Sequence, residues 1–555
     1  MDPNTMDVDD MLSQAGDRGR YQVMLVALFA IINVLSAYHY FGQTFISLVP
    51  EHYCHLPDVD QANVSLYRAR DGLCSRYDRN LSGVEPPQPE NDWPTRYCNT
   101  GWEYRLEENY TTIISEMHWV CADAWKVATG QSLFFVGSVI GTLALGVLSD
   151  RTGRLPTLVV ANVLALLGNL ATAFVTSLPD FGAARFLAGL ATDANFFMMY
   201  IIVMEYLRPQ FRTAGLNLTI GVFYSLGCVA VPWTALWLHT WRRLMLVVAA
   251  MHAVVPGYMF VVPESARWLL QQGRVNDALK CFQRVAKYNG KELDAVHVKM
   301  FQNSVKTDKN PSGSLLGLFR TPRLRRKTLI LIFKSMVLTL CYDAISRNVD
   351  GLPWSPFIMF SISSATILPS CIVILLLQDR VGRKALASGS LFLTGIFTAL
   401  AGIVLGWKPG MADAHVAMVL AVVGRLGVNI AYNSGVQYAA ELIPTEVRGQ
   451  GVAAMHVAGY GATFCSPYIL YLAEYWSAIP DLLLGMLAMI GAALCLLLPE
   501  TLHRELPVTL ADGEEFGEGE RIWEFAWRQR RDDKKPAGSS TKVCDVQGIT
   551  AHTAT

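Results

Sequence analysis

Charged side chains are scarce in this sequence. Asp, Glu, Lys and Arg make up 17% of its 555 residues, against 52% hydrophobic ones. Mean hydropathy is +0.29. A soluble chain of this length would form several domains with charged surfaces; so thin a charge excludes that arrangement and indicates an integral membrane protein. Catalytic signatures are missing as well. The chain has no G-x-x-x-x-G-K-[ST] loop, no H-E-x-x-H, no G-x-S-x-G and no paired C-x-x-C. Motifs therefore give no support to ATP hydrolysis, zinc proteolysis, serine hydrolysis or thiol exchange. We expect no enzyme activity, no cofactor and no bound metal. A cleavable leader is also lacking: acidic MDPNTMDVDD runs into a long apolar segment, expected to remain as the first span. Basic loops occur without a nucleic-acid module, so the expected surroundings are lipid, not nucleic acid. The oligomeric state is left open.

A membrane span needs about 20 largely apolar residues, and twelve such stretches are present: 21–48, 126–147, 156–177, 181–206, 213–237, 244–262, 328–347, 355–377, 384–406, 413–440, 450–473 and 479–498. The expected fold class is thus an all-α membrane protein. Two gaps are long. The first, 49–124, carries 13 Asp+Glu against 6 Lys+Arg and three N-x-S/T sequons, at Asn63, Asn80 and Asn109. Cys54, Cys74, Cys98 and Cys121 also lie there. Sequons beside cysteines indicate an oxidised, glycosylated extracellular cap with two disulfides, whose pairing the sequence leaves open. The second long gap carries 13 Lys+Arg against 5 Asp+Glu, with helical periodicity through 274–301. Positive loops mark the cytoplasmic side, so both termini are expected there. The organisation read is 1–20 N-terminal segment, 21–262 first half, 263–327 linker loop, 328–498 second half and 499–555 a largely disordered tail.

The chain repeats itself. Gly146–Leu158, GVLSDRTGRLPTL, contains a D-R-x-G-R turn that returns at Asp379-Arg380-Val381-Gly382-Arg383. Glu205 precedes Arg212 by seven residues, as Glu441 precedes Arg448, and the two pairs are 236 residues apart. Pro263-Glu264-Ser265 and Pro499-Glu500-Thr501 are separated by the same 236. Two six-helix halves follow, related by an axis along the membrane normal, an arrangement that suits a transporter rocking about a midplane site. In such turns glycine permits the bend and arginine anchors at the headgroups. Asp150, Arg151, Gly153, Arg154, Glu205 and Arg212, with Asp379, Arg380, Gly382, Arg383, Glu441 and Arg448, are expected to form ion-pair networks that close an inner gate. Each exposed pair contributes only about 0–1 kcal/mol, but a network made in one state biases a balanced equilibrium. Topological anchoring alone is the plainer alternative.

These turns and the six-plus-six repeat resemble the major facilitator superfamily. The Cys- and sequon-bearing loop, PESARWLLQQGRVNDALK and AELIPTEVRGQGV resemble its organic cation, carnitine and organic anion branch, the solute carrier 22 family. Within it, TDANFFMMYIIVMEY and CYDAISRNVDGL are similar to invertebrate carcinine transporters. The resemblance spans residues 15–505. It implies alternating-access transport of small organic ions across the plasma membrane, carcinine-like or carnitine-like amines above all. The alternatives are an organic anion exchanger or a non-transporting receptor. The family's charge readout is absent. Where its members place aspartate or arginine in the eleventh span, this chain has Tyr460; Leu368-Pro369 replaces an acid before proline in the eighth, and Asp193 replaces a lysine in the fourth.

Charges within spans usually face a cavity or a partner. Asp343 is read as a cation contact with Tyr342 as its aromatic neighbour, or as an i,i+4 partner of Arg347. Asp193 is read as a cavity carboxylate or as a structural partner of Arg185 or Arg425. Arg425 is a counter-ion or the receiver of a substrate carboxylate. Tyr460, Tyr432, Tyr224, Phe223, Phe196 and Trp354 are candidate wall residues or simple packing. Asn429 and Asn433 line the cavity or bond between helices. His39 and Tyr40 are candidates for the outer vestibule.

Overall fold

The computed structural model describes residues 8–16, 19–55, 74–77, 94–207, 216, 218–304, 315–348, 354–407, 411–520, 523 and 525. Among them, ten helices are long and apolar enough to cross a membrane: Arg20–Ile46, Cys121–Thr152, Arg154–Thr172, Leu178–Tyr206, Ile220–Leu238, Trp241–Val261, Pro322–Arg347, Pro356–Val381, Arg383–Gly406 and Asp413–Leu442. The remaining two expected spans are Arg448–Thr463, broken before Ser466–Tyr471, and the 17-residue Ile479–Cys495. Large apolar side chains cover the outside. Leu143, Val147, Leu375 and Leu376 are each more than half exposed, and Trp237, Phe260 and Trp407 stand out at helix ends. Such a surface is stable only in lipid, with aromatic rings at its borders.

The helices form two bundles that touch along two seams, the second span against the eleventh and the fifth against the eighth. Ser132 donates to the Phe464 carbonyl at 2.9 Å in one seam, and Ser225 to that of Ser364 at 3.4 Å in the other. Contact is fullest at the end carrying the 49–124 segment, here the cap end. Every residue from Ser36 to Ile46 of the first span is buried, whereas burial is intermittent from Arg20 to Leu35. Phe45 packs on Phe357 and Phe360 at ring distances of 5.4 and 5.1 Å, joining the halves there.

The cap is built from two antiparallel strand pairs, Glu51–Cys54 with Trp102–Arg105 and Ser75–Tyr77 with Thr95–Tyr97. Disulfides join Cys54 to Cys98 and Cys74 to Cys121, choosing one of the pairings the sequence left open. Glu116 clamps the cap to the sixth span, accepting from Trp241 Nε1 and Arg242 Nη2 at 2.7 Å each. Partial burial works to raise its carboxyl, but the hydrogen bonds from Arg242 and Trp241 and the arginine charge outweigh that and hold it below the usual range. Asn109 is exposed in this cap; Asn63 and Asn80 lie outside the described residues.

At the opposite, turn end the linker folds as Ala266–Gln271, Val275–Tyr288 and Ala295–Ser304. An N-terminal helix, Val8–Ala15, lies on it through an Asp9–Arg267 pair at 2.8 Å. The tail, expected to be largely disordered, is folded as far as Glu520. Its helix Leu510–Glu515 places Glu514 on the Arg323 and Leu324 amides, at 3.0 and 2.6 Å, capping the seventh span. The acidic run that looks solvated in sequence thus satisfies a helix N-terminus. Residues 526–555 lie outside the described part.

Candidate substrate site between the halves

The turn-end motifs pair within each half. Gly153 and Gly382 adopt φ of 108° and 105°, a left-handed region that favours glycine. Arg154 meets Asp150 at 3.0 Å and Arg383 meets Asp379 at 2.9 Å, and Arg383 also reaches Glu441 at 3.4 Å. A carboxylate caps each following helix: Glu264 accepts from the Arg154 amide at 2.8 Å, Glu500 from that of Arg383 at 2.9 Å. Ser265 donates to Glu205 and Thr501 to Glu441. Arg448 donates to the Ile443 carbonyl at 3.3 Å. Arg151 and Arg380 are exposed without an ion pair among the described residues, and Arg212 lies outside them. Among the described residues no ion pair crosses between the halves at this end. The contacts between the halves named above gather towards the cap end.

Asp343 is fully buried at the cap end. It takes Arg347 Nε at 2.7 Å, the Tyr40 hydroxyl at 2.8 Å and Ser466 Oγ at 2.6 Å. Arg347 also sits 5.2 Å from the Tyr40 ring centroid. First, seventh and eleventh spans are thereby locked together, so of the two readings of Asp343 the geometry carries the Arg347 pair. Above this lock a cavity of about 1110 Å³ separates the span ends from the cap, with Gln131, Trp354 and Asp481 in its wall.

Asp193 stands differently. It is 6% exposed, near the start of the Thr192–Tyr206 helix. Thr142 donates to it at 3.1 Å, and from the other half Tyr460 and His456 lie close enough to act on its charge. Neither Arg185 nor Arg425 is its partner. Arg185 bonds Gln43 at 3.2 Å and lies over Phe134; Arg425 donates to the Tyr342 carbonyl at 3.1 Å and stacks on the Tyr342 ring at 4.5 Å. Among the described residues Asp193 has no lysine or arginine within ion-pair range.

Aromatic rings surround this region. Tyr342 and Tyr432 are 4.7 Å apart, Tyr224 reaches Tyr342, Phe196 stacks with Tyr200 at 6.1 Å and Phe197 meets His456 at 4.9 Å. Two wall candidates lie elsewhere: Trp354 borders the cap-end cavity, and Phe223 is 37% exposed. Asn429 bonds Thr366 at 2.9 Å between the tenth and eighth spans, and Asn433 donates to the Asn429 carbonyl at 3.0 Å. His39 is buried against Asn169 and the Ala188 carbonyl, away from the wall of the cap-end cavity. Sequence reasoning passed over His456 and Lys334. A lone lysine inside the apolar run LILIFKSMVL was the available signal for the latter.

Comparison with known proteins agrees with the fold. Residues 99–508 match the family model described as sugar (and other) transporter. Solute carrier family 22 member 13 of Homo sapiens is 31% identical, over 91% of this chain and 92% of its own. The carcinine transporter of Drosophila melanogaster is 29% identical over 94% of this chain and 80% of its own. Among solved structures, the proton:xylose symporter XylE superposes with a TM-score of 0.57 at 16% identity, covering 89% of this chain and 98% of that one.

Proposed function

The chain belongs to the solute carrier 22 family of organic cation transporters, within the major facilitator superfamily, and from that premise we propose that it carries small organic cations or zwitterionic amines, with Asp193 as their counter-charge. The observation that carries this reading is a buried carboxylate between the halves, free of lysine and arginine among the described residues and beside aromatic rings. Removing a carboxylate from water is costly unless a cation compensates it, and an intramembrane acid of this kind marks a substrate path. The ammonium of an organic cation supplies the charge, and Tyr460 and the neighbouring rings supply apolar and cation–π contact. Alternating access then exposes the site to the two ends in turn, with the Asp343–Arg347–Tyr40 lock opening as the turn ends of the two halves come together. In this reading the protein resides in the plasma membrane with the cap outside, carrying glycans at Asn63, Asn80 and Asn109, and with both termini inside. Carcinine-like and carnitine-like amines are the substrates to try first.

The test is uptake of radiolabelled carcinine and choline by cells expressing the protein, with Asp193→Asn at matched surface expression. Uptake efficiency should fall by roughly tenfold or more, the loss of one charge-assisted contact. Unchanged cation uptake in the variant would remove Asp193 from the site. One observation favours a second reading: Arg425 is 2% exposed and has no carboxylate partner among the described residues. An anion exchanger built on it would take up p-aminohippurate and lose that uptake in Arg425→Ala.

A further inference from the structure

The seventh span holds another buried charge that the cation reading leaves unused. Lys334 is 2% exposed. Its Nζ donates one hydrogen bond, 2.6 Å long, to the Gly435 carbonyl, and lies 5.7 Å from the Tyr438 ring centroid. It makes no ion pair among the described residues. An ammonium carries three N–H donors, so two are left without a protein acceptor. Gly435 makes this placement possible, since a Cβ there would stand 2.9 Å from Nζ.

Beside Lys334 is a notch of about 20 Å³, bordered by Tyr432, Val436, Val452, Met455 and His456. A void of that size holds one water-sized group. Its rim also includes the Ser335 and Thr339 hydroxyls, but both already donate elsewhere, Ser335 to the Met455 carbonyl and Thr339 to that of Ser335. The donors still free are the Lys334 ammonium and the His456 ring, which makes no hydrogen bond among the described residues. A notch bordered by spare donors and aliphatic walls favours an anion over water. His456 also connects the two charges: it borders the notch and acts on Asp193 from the same helix as Tyr460.

We propose that the notch at Lys334 and His456 receives a single anionic atom, either one carboxylate oxygen of a zwitterionic amine whose ammonium rests on Asp193 or a chloride travelling with a simple cation. The proposal rests on the cation reading of Asp193 for its transport consequence, but not for the anion site itself.

Two measurements test it. The first is the melting temperature of the purified full-length protein in sodium acetate or sodium chloride, against sodium methanesulfonate, an anion too bulky for the notch. Acetate or chloride should raise the wild-type Tm with a saturable dependence, and Lys334→Gln should abolish that dependence. Gly435→Ala, which keeps the charge but displaces it, should weaken the dependence and covers the case in which Lys334→Gln fails to fold. A wild-type Tm that responds equally to all three anions overturns the proposal. The second measurement compares carnitine with choline, which share a trimethylammonium head but differ in the carboxylate. If the carboxylate is the occupant, Lys334→Gln raises KM for carnitine roughly tenfold and leaves choline within about twofold. If chloride is the occupant, replacing it with methanesulfonate slows wild-type choline uptake and not that of Lys334→Gln. Neither pattern, with the Tm response also absent, refutes the anion site. Choline uptake indifferent to Asp193→Asn refutes the cation reading and leaves the Tm result standing on its own.

Discussion

Asp193 and Asp343 are both buried carboxylates, and their surroundings divide the work between them. Asp343 accepts from Arg347, Tyr40 and Ser466, so a substrate ammonium would have to displace a guanidinium that is itself buried. Breaking such a pair by removing one partner costs about 3–5 kcal/mol, whereas replacing both partners with apolar groups of similar volume is often close to neutral. We therefore expect Asp343→Asn to lower the melting temperature sharply and to depress uptake of every substrate alike. The double variant Asp343→Leu/Arg347→Met should recover much of the lost stability. A variant Asp343→Asn with wild-type Tm and a raised KM for cations alone would return Asp343 to the substrate site. The sequence offers both readings because i,i+4 spacing places Arg347 within reach, but it cannot show Tyr40 and Ser466 arriving from the first and eleventh spans. Asp193 is hard to read for the converse reason: its isolation is a fact about neighbours that do not come near.

At the scale of elements, the D-R-x-G-R turn is a helix break that a distant carboxylate completes. Glu264 takes the amides of Arg154 and Leu155, at 2.8 and 3.1 Å, and Glu500 takes that of Arg383 at 2.9 Å. A carboxylate at a helix N-terminus is favoured by the dipole and by the unpaired amides together. Gly153 must be glycine twice over, for its φ of 108° and because a Cβ would strike the Glu264 carboxylate. Gly153→Ala should therefore destabilise by more than the roughly 1–2 kcal/mol of left-handed backbone strain alone, read as a fall in Tm; a loss no larger than in Gly146→Ala, whose Cβ meets nothing within 4 Å, would deny the glycine this role. Spans, halves and turns were legible because apolar length and a 236-residue repeat are properties of the string itself. The Pro-Glu-[Ser/Thr] repeats were visible too, but not their job, since each carboxylate caps a helix more than a hundred residues away. The folded start of the tail was hidden likewise: GEEFGEGE reads as a solvated run until the bare amides of Arg323 and Leu324 are seen beside it.

For the whole molecule, transport requires the halves to move against each other while staying in contact, and the seam between fifth and eighth spans provides a way to hold them. Gly221 lies in a π-helical turn, Ile220–Tyr224, facing Cys371 of the other half. A Cβ at Gly221 would stand 3.0 Å from Cys371 Sγ and 3.4 Å from its Cβ. Bridged cysteines keep their Cβ atoms about 3.5–4.5 Å apart, so a small local adjustment brings Gly221→Cys within bonding range of a native partner. That contact belongs to this one arrangement of the halves. If the halves rock about a midplane site, copper-phenanthroline oxidation of Gly221→Cys should abolish uptake and a reductant should restore it, with Gly221→Cys/Cys371→Ser insensitive to both. The bridge itself can be verified by mass spectrometry of the joined peptides. A bridged protein that still transports at the wild-type rate would mean that this seam moves as one body, and alternation would then have to occur by bending within the helices on either side of Asp193.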